Sequence, residues 1–189
     1  RDRYYIARYE ASYRSGSLNG GNVDTFVPYS KVSTNTRGDQ YDREDGDLFS
    51  YVKQSSAAYA CRNMYKGNSY FTSDLTNSFA WDTALVFIQT FSGDKDYSRQ
   101  NSLQSTLTKC GEATDGTDND IRCNIYDMAG NVREWTTETF SYPGYPCVGR
   151  GGYYGDSNVY TTTRNYGAKT DEQLQQRFFQ TNFIFVTLS

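Results

Sequence analysis

Asn124 to Trp135 reads NIYDMAGNVREW, and the fold turns on how that stretch is understood. Gly130-Asn131 is a turn-forming pair, because both residue types tolerate backbone conformations that others avoid. Around it stand two carboxylates, Asp127 and Glu134, and the bulky anchor Trp135. Three readings are open: a site of chemistry, a metal cage, or a turn that fixes the chain to a core.

Composition narrows them. The chain has 189 residues, enough for a single domain with a real core, and a formal charge of −3. No basic footprint points to nucleic acid, and no apolar run reaches the length of a membrane span. Aromatics make up 16% of the residues, with 18 Tyr and 11 Phe, against a hydrophobic fraction of 37%. A core cannot take so many phenols, since each buried hydroxyl needs a partner. Many tyrosines must therefore face solvent, and surface Tyr mixed with Ser, Gly, Asn and Asp is the composition of an adaptable binding face. Histidine is absent. That excludes a histidine base, a histidine-held iron or zinc, and every histidine-containing triad. The four cysteines, Cys61, Cys110, Cys123 and Cys147, form no CxxC pair. A structural zinc site is not indicated. Cys110 and Cys123 bracket a polar loop that a disulfide would close in an exported protein, and free thiols suit a reducing compartment equally well.

Along the chain, residues 4–9 read as an opening strand and 14–50 as a long irregular connection. A first helix is predicted from about Ser55 to Tyr65, with Ala57, Ala58, Cys61 and Met64 on one side. A second runs from about Ser78 to Phe91, where Trp81, Ala84, Leu85 and Ile88 recur at helical spacing behind Asn77 or Ser78 as cap. The carboxylate-rich TDGTDND lacks the ligand order of an EF-hand and reads as a solvated turn. The closing FFQTNFIFVTL reads as a strand returning to the core. Two helices, short antiparallel strands and much ordered loop make one α+β domain spanning 1–189.

The order of YYIARYEASY, SSAAYACRNMY, FAWDTALVFI, DMAGNVREW and VGRGGYY resembles the formylglycine-generating-enzyme (sulfatase-modifying factor) group of C-type-lectin-like domains. The most specific elements are Gly130-Asn131-Val132-Arg133-Glu134-Trp135 and Arg150-Gly151-Gly152. The resemblance implies structural roles for Trp81, Asn131, Trp135, Arg150, Gly151 and Gly152. It does not carry the catalysis across. The copper enzymes use a cysteine pair shortly after Arg-Gly-Gly, and that segment here holds none. The iron-dependent relatives need histidine. The enzymes also close on Gly-Phe-Arg, where this chain has Asn182-Phe183-Ile184.

What remains is most similar to the variable proteins of diversity-generating retroelements, which keep the scaffold and use the stretch after Arg-Gly-Gly as a diversified surface. From Tyr153 to Asp171, 16 of 19 residues are Tyr, Thr, Gly, Asn, Ser, Asp or Ala, the scatter expected of mutated asparagine codons. The resemblance therefore implies a non-catalytic, receptor-like protein with a variable segment at about 150–182. Its ligand-binding residues would be Tyr153, Tyr154, Asp156, Ser157, Asn158, Tyr160, Asn165, Tyr166 and Lys169, with Val159 and Arg164 as fixed positions. The partner implied is a protein or cell-surface glycan, and the location a cell surface or virion. The alternatives are an oxidase with a displaced redox site built on Cys147, and a lectin of fixed specificity.

No cofactor is required by this reading. The equivalent turn in the enzymes can, however, wrap a calcium ion. Mapped here, the ligands would be the Asp127 and Glu134 side chains and the Gly130 and Val132 carbonyls, a donor set that suits a hard cation. The competing reading has Asn131 and Glu134 capping backbone amides while Trp135 anchors the turn.

Overall fold

The computed structural model describes residues 4–12, 29–30, 46, 52–65, 67–70, 72–100, 107–109, 111, 121–154, 159–167 and 179–180. Its strands are β1 (Ala11–Ser12), β2 (Tyr29–Ser30), β3 (Ile121–Arg122), β4 (Ile125–Tyr126), β5 (Arg133–Thr139), β6 (Cys147–Arg150), β7 (Arg164–Gly167) and β8 (Phe179–Gln180). Its helices are α1 (Gln54–Asn63) and α2 (Ser78–Phe91), with a 3-10 turn at Tyr97–Arg99. Two two-stranded ribbons, β1-β2 and β3-β4, flank a sheet of order β7-β6-β5-β8.

The α+β expectation holds, with differences that have physical causes. Residues 4–9 are not a strand. Tyr4 and Tyr5 are exposed while Ala7 and Glu10 are buried, so no alternating face exists, and pairing begins at Ala11. One sheet contact is parallel, β5 with β8, whereas β5-β6 and β6-β7 are antiparallel. The rest of the closing segment, including Asn182-Phe183-Ile184, lies outside the described residues.

Helix α2 keeps its expected limits because each end has a cause. Asn77 Oδ1 accepts a hydrogen bond from the Ala80 amide at 3.0 Å, and Gly93, at φ +80°, follows the Ser92 cap in the left-handed conformation that ends many helices. Its inner face, Ala80, Trp81, Ala84, Leu85 and Ile88, is buried. With Tyr97, Ile125, Met128 and Ala129 it forms one apolar cluster. Helix α1 is a residue or two shorter than predicted and buries Ala57, Ala60 and Cys61 in a second cluster with Trp135 and Cys147. Ala58 and Met64 pack only at that cluster's edge, so Ala60 takes the place expected of them. The central strands β5 and β6 lie between the two cores and carry the 127–152 region that the site is built on.

Candidate ligand-display surface and its brace

The opening stretch begins as a two-residue hairpin. Ile121 pairs with Tyr126 and Arg122 with Ile125, leaving Cys123 and Asn124 as the loop, at φ 53° and 63°. Positive φ at both central positions gives the turn the twist that matches its strands. Asp127 and Asn131 also hold positive φ, 61° and 60°. Asp and Asn visit that region more readily than other non-glycine residues.

Asn131 is the hub of this turn. Its Nδ2 donates to Glu10 Oε2 at 2.5 Å, and its Oδ1 accepts from the Thr108 amide at 2.9 Å and the Thr108 hydroxyl at 3.2 Å. Glu10, itself fully buried, also accepts from the Val132 amide at 3.3 Å. Amide capping is thus carried by Asn131 and Glu10. The Asn131 carbonyl then accepts from the Tyr154 amide at 3.1 Å, tying the turn to the segment beyond Arg-Gly-Gly. Trp135 donates its indole N–H to the Val52 carbonyl at 2.8 Å and packs in the α1 core.

The two sequence motifs are halves of one contact. Gly151 sits at φ +74°, and a Cβ there would lie 2.9 Å from the Met128 carbonyl oxygen and 3.2 Å from Glu134 Oε2. At Gly152 a Cβ would stand 3.0 Å from the Ala129 carbonyl oxygen. Only glycine lets the backbone after β6 lie so close to the 127–132 turn. Asp127, in that turn, and Glu134, at the start of β5, are both buried. Among the described residues, no group of three or more His, Cys, Asp or Glu side chains gathers as a metal site. The donors available are two carboxylates plus carbonyls, which fits an oxygen-liganded cation such as calcium and does not fit zinc or copper.

Behind the same strands lies a closed ring of four charges. Arg150, fully buried, meets Glu138 Oε1 through Nε at 2.5 Å and Asp82 Oδ1 through Nη2 at 3.2 Å. Arg164 meets the other oxygens, Glu138 Oε2 at 2.8 Å and Asp82 Oδ2 at 3.4 Å. The register explains the need. Arg150 faces Arg164 directly across β6 and β7, a like-charge pair that would repel without interleaved acids. Between Trp135 and Thr139 four steps of β5 match two of β6, from Gly149 to Cys147. That bulge accompanies the loss of alternation in β5 and the approach of Glu138 to both arginines.

The approach to β7 is pinned as well. Trp81 donates to the Thr161 carbonyl at 2.9 Å, Thr161 Oγ1 to the Tyr97 carbonyl at 2.8 Å, and Arg150 Nη1 to the Thr162 carbonyl at 3.2 Å. On this base the predicted binding residues divide. Tyr160 and Tyr166 are 46% and 56% exposed. Tyr153 and Tyr154 are half-buried, edge to face at 5.5 Å, with the Arg133 guanidinium 4.8 Å from the Tyr153 ring. Asn165 instead turns its amide to the Gly151 carbonyl at 3.1 Å and holds the base together. Asp156, Ser157, Asn158 and Lys169 lie outside the described residues. So does Cys110; Cys123 carries a free thiol.

Sequence reasoning missed Glu10, Asp82 and Glu138. The signal for Asp82 and Glu138 was the arginine of Arg-Gly-Gly, since a buried guanidinium requires carboxylates near it. Which ones could not be read from spacings of 12 to 68 residues along the chain.

The family model described as sulfatase-modifying factor enzyme 1-like domain matches residues 29–178. No curated protein matches the chain. Among solved structures, that of PvdO from Pseudomonas aeruginosa is similar with a TM-score of 0.53 and 14% identity, covering 98% of this chain and 80% of that one. At that identity the likeness speaks for the fold.

Proposed function

We propose that the chain, which belongs to the sulfatase-modifying factor enzyme 1-like domain family, is a non-catalytic binding protein. It displays a retroelement-diversified surface on a C-type-lectin-like scaffold. The observation that carries this reading is the contrast among the described residues 153–154 and 159–167. Their backbone is held by Trp81, Asn131, Arg150 and Thr161, while Tyr160 and Tyr166 project into solvent. A held backbone under exposed Tyr side chains lets contacts change without refolding. Tyr brings large contact area at low rotamer cost. The partner is a protein or glycan on another surface, and the working location a cell surface or virion.

The oxidase alternative needs an accessible thiolate pair. Cys61 and Cys147 are both buried, in the apolar cluster under α1. Burial, with Asp74 adding to it, pushes the Cys61 thiol well above its usual range, which suits a packing residue and not a nucleophile. A structural calcium at Asp127, Glu134 and the neighbouring carbonyls is part of the proposal. It would brace the turn and take no part in chemistry.

The test is the DNA beside the gene. A near-copy of the region encoding 150–182, differing at adenines and accompanied by a reverse transcriptase, is expected; absence of both removes the retroelement claim. Catalysis is tested separately by copper titration and turnover of a cysteine-containing peptide. Turnover would overturn the non-catalytic reading.

A further inference from the structure

Beside the display surface lies a recess whose walls, among the described residues, are all aromatic. Phe140, Tyr142, Tyr145 and Tyr166 line a cavity of about 350 Å³, within the size range of small-molecule sites. The rings stand as two near-parallel pairs: Phe140 and Tyr166 at 4.5 Å and 22°, Tyr142 and Tyr145 at 5.9 Å and 7°. The loop carrying three of them is braced. The Phe140 amide donates to the Pro146 carbonyl at 2.8 Å, and the Tyr145 amide to the Tyr142 carbonyl at 3.0 Å across a β-turn with Pro143 in its second position. At Gly144 a Cβ would stand 3.2 Å from the Tyr142 ring, so the turn is shaped around that side chain.

Other tyrosines in the molecule already hold a cation. The Arg8 guanidinium lies 5.2 Å from the Tyr9 ring and 5.5 Å from Tyr126, Arg122 lies 5.7 Å from Tyr97, and Arg133 lies 4.8 Å from Tyr153. Among the described residues no arginine or lysine lies over the four recess rings. Arg164, two residues before Tyr166, is taken up by Glu138 and Asp82. Among the described residues the recess is therefore a cluster of electron-rich rings without a positive charge.

We propose that this recess binds a quaternary ammonium group, a trimethylammonium head carried by a larger ligand. Ring faces attract a cation through their quadrupoles, and the attraction grows as water is excluded. A quaternary nitrogen has no N–H, so it loses no hydrogen bond on entering an apolar site; a primary ammonium would leave donors unsatisfied. Among the described residues no carboxylate, amide or guanidinium lines the recess, and the polar groups its side chains offer are the three tyrosine hydroxyls. Phe140, Tyr142 and Tyr145 precede the proposed variable segment while Tyr166 lies within it, so three walls are independent of the retroelement reading and the fourth rests on it.

The experiment is a titration of the whole chain with choline, followed by tyrosine fluorescence. The comparison ligands are 3,3-dimethylbutanol, its uncharged isostere, and ethanolamine, its primary-amine counterpart. Saturable choline binding about threefold tighter than either is expected, the scale of a cation–π contact on rings that stay 42–56% exposed. Tyr142→Ala should abolish it and Tyr142→Phe should keep it within a few-fold, with near-ultraviolet circular dichroism showing that both variants are folded. Phosphocholine and a trimethyl-lysine peptide then identify the carrier, the tighter one being the relevant source. No saturation by choline, equal affinity for the isostere, or unchanged binding in a folded Tyr142→Ala variant would each overturn the assignment.

Discussion

The turn at 127–132 and the described residues of the next segment, 153–154 and 159–167, touch each other and use their side chains differently. In the turn, Asn131 is committed to Glu10 and Thr108, while the Met128 and Ala129 carbonyls press on the two glycines after β6. In the segment the backbone is committed together with the Thr161, Thr162, Arg164 and Asn165 side chains, and the exposed tyrosines are the exception. The carbonyls of Thr161 and Thr162 and the amide of Tyr154 are all held, while the Tyr160 and Tyr166 rings face outward. The first region admits few substitutions; in the second, the exposed Tyr160 and Tyr166 are the least constrained positions. The difference lies in whether a side chain is itself part of the contacts that hold the fold.

The hardest test of the first region is Gly151→Ala. It adds a left-handed backbone cost to a Cβ placed 2.9 Å from the Met128 carbonyl oxygen. Together these should destabilise the fold by about 3 kcal/mol or more, read as a shift in the urea midpoint at constant slope. A loss below about 1 kcal/mol would show that the turn can retreat from β6, and the contrast between the regions would shrink.

Next in size is removal of the proposed calcium. With free ion at a hundred times its dissociation constant, binding stabilises by about 2.7 kcal/mol. Excess chelator should then lower Tm by about 5–10 °C in a domain of this size, and calcium but not copper should restore it. An unchanged Tm would assign the bracing to Asn131 and Glu10 alone.

Glu138→Gln comes third. It breaks the ring at the acid that both arginines share, yet leaves Arg150 with Asp82 and the Thr162 carbonyl. The expected loss is about 2 kcal/mol, below the cost of stranding a wholly unpaired buried charge. Because Arg164 and Asp82 are each 51% exposed, their arm of the ring should weaken with added salt while the Arg150–Glu138 arm does not. Uniform salt insensitivity in wild type and variant would contradict that division.

What was legible in the sequence follows the same line between local and distant causes. Helix α2 could be read to its ends because its stripe and its Asn77 cap lie within one stretch of chain. Gly151 and Gly152 could be recognised as structural, since glycine in a motif signals close approach. The charge ring could not, because it joins residues 82, 138, 150 and 164 and depends on a bulge that no pattern in β5 announces. The opening strand was misplaced for a related reason. Residues 4–9 look like a strand in composition, but Ala7 and Glu10 go inward to meet the core while Tyr4 and Tyr5 stay outside. Asn165 shows the limit for the site itself: its residue type fits a variable position, and its contact with Gly151 fits a fixed one.

The smallest expected effect bears most directly on function. Tyr160→Ser should change folding stability by no more than about 0.5 kcal/mol, as for an exposed side chain away from special features. Its backbone amide keeps its bond to Thr163 Oγ1 whatever the side chain. Tyr166→Ser should cost slightly more, about 0.5–1 kcal/mol, because it loses the stacked contact with Phe140. Asn165→Ser should exceed both, since it removes the hydrogen bond to the Gly151 carbonyl that ties β7 to the brace. Thermal melts of the three variants would rank them. If Asn165→Ser proves as silent as Tyr160→Ser, then position 165 belongs to the displayed set, and the pinning of the segment rests on Trp81, Arg150 and Thr161.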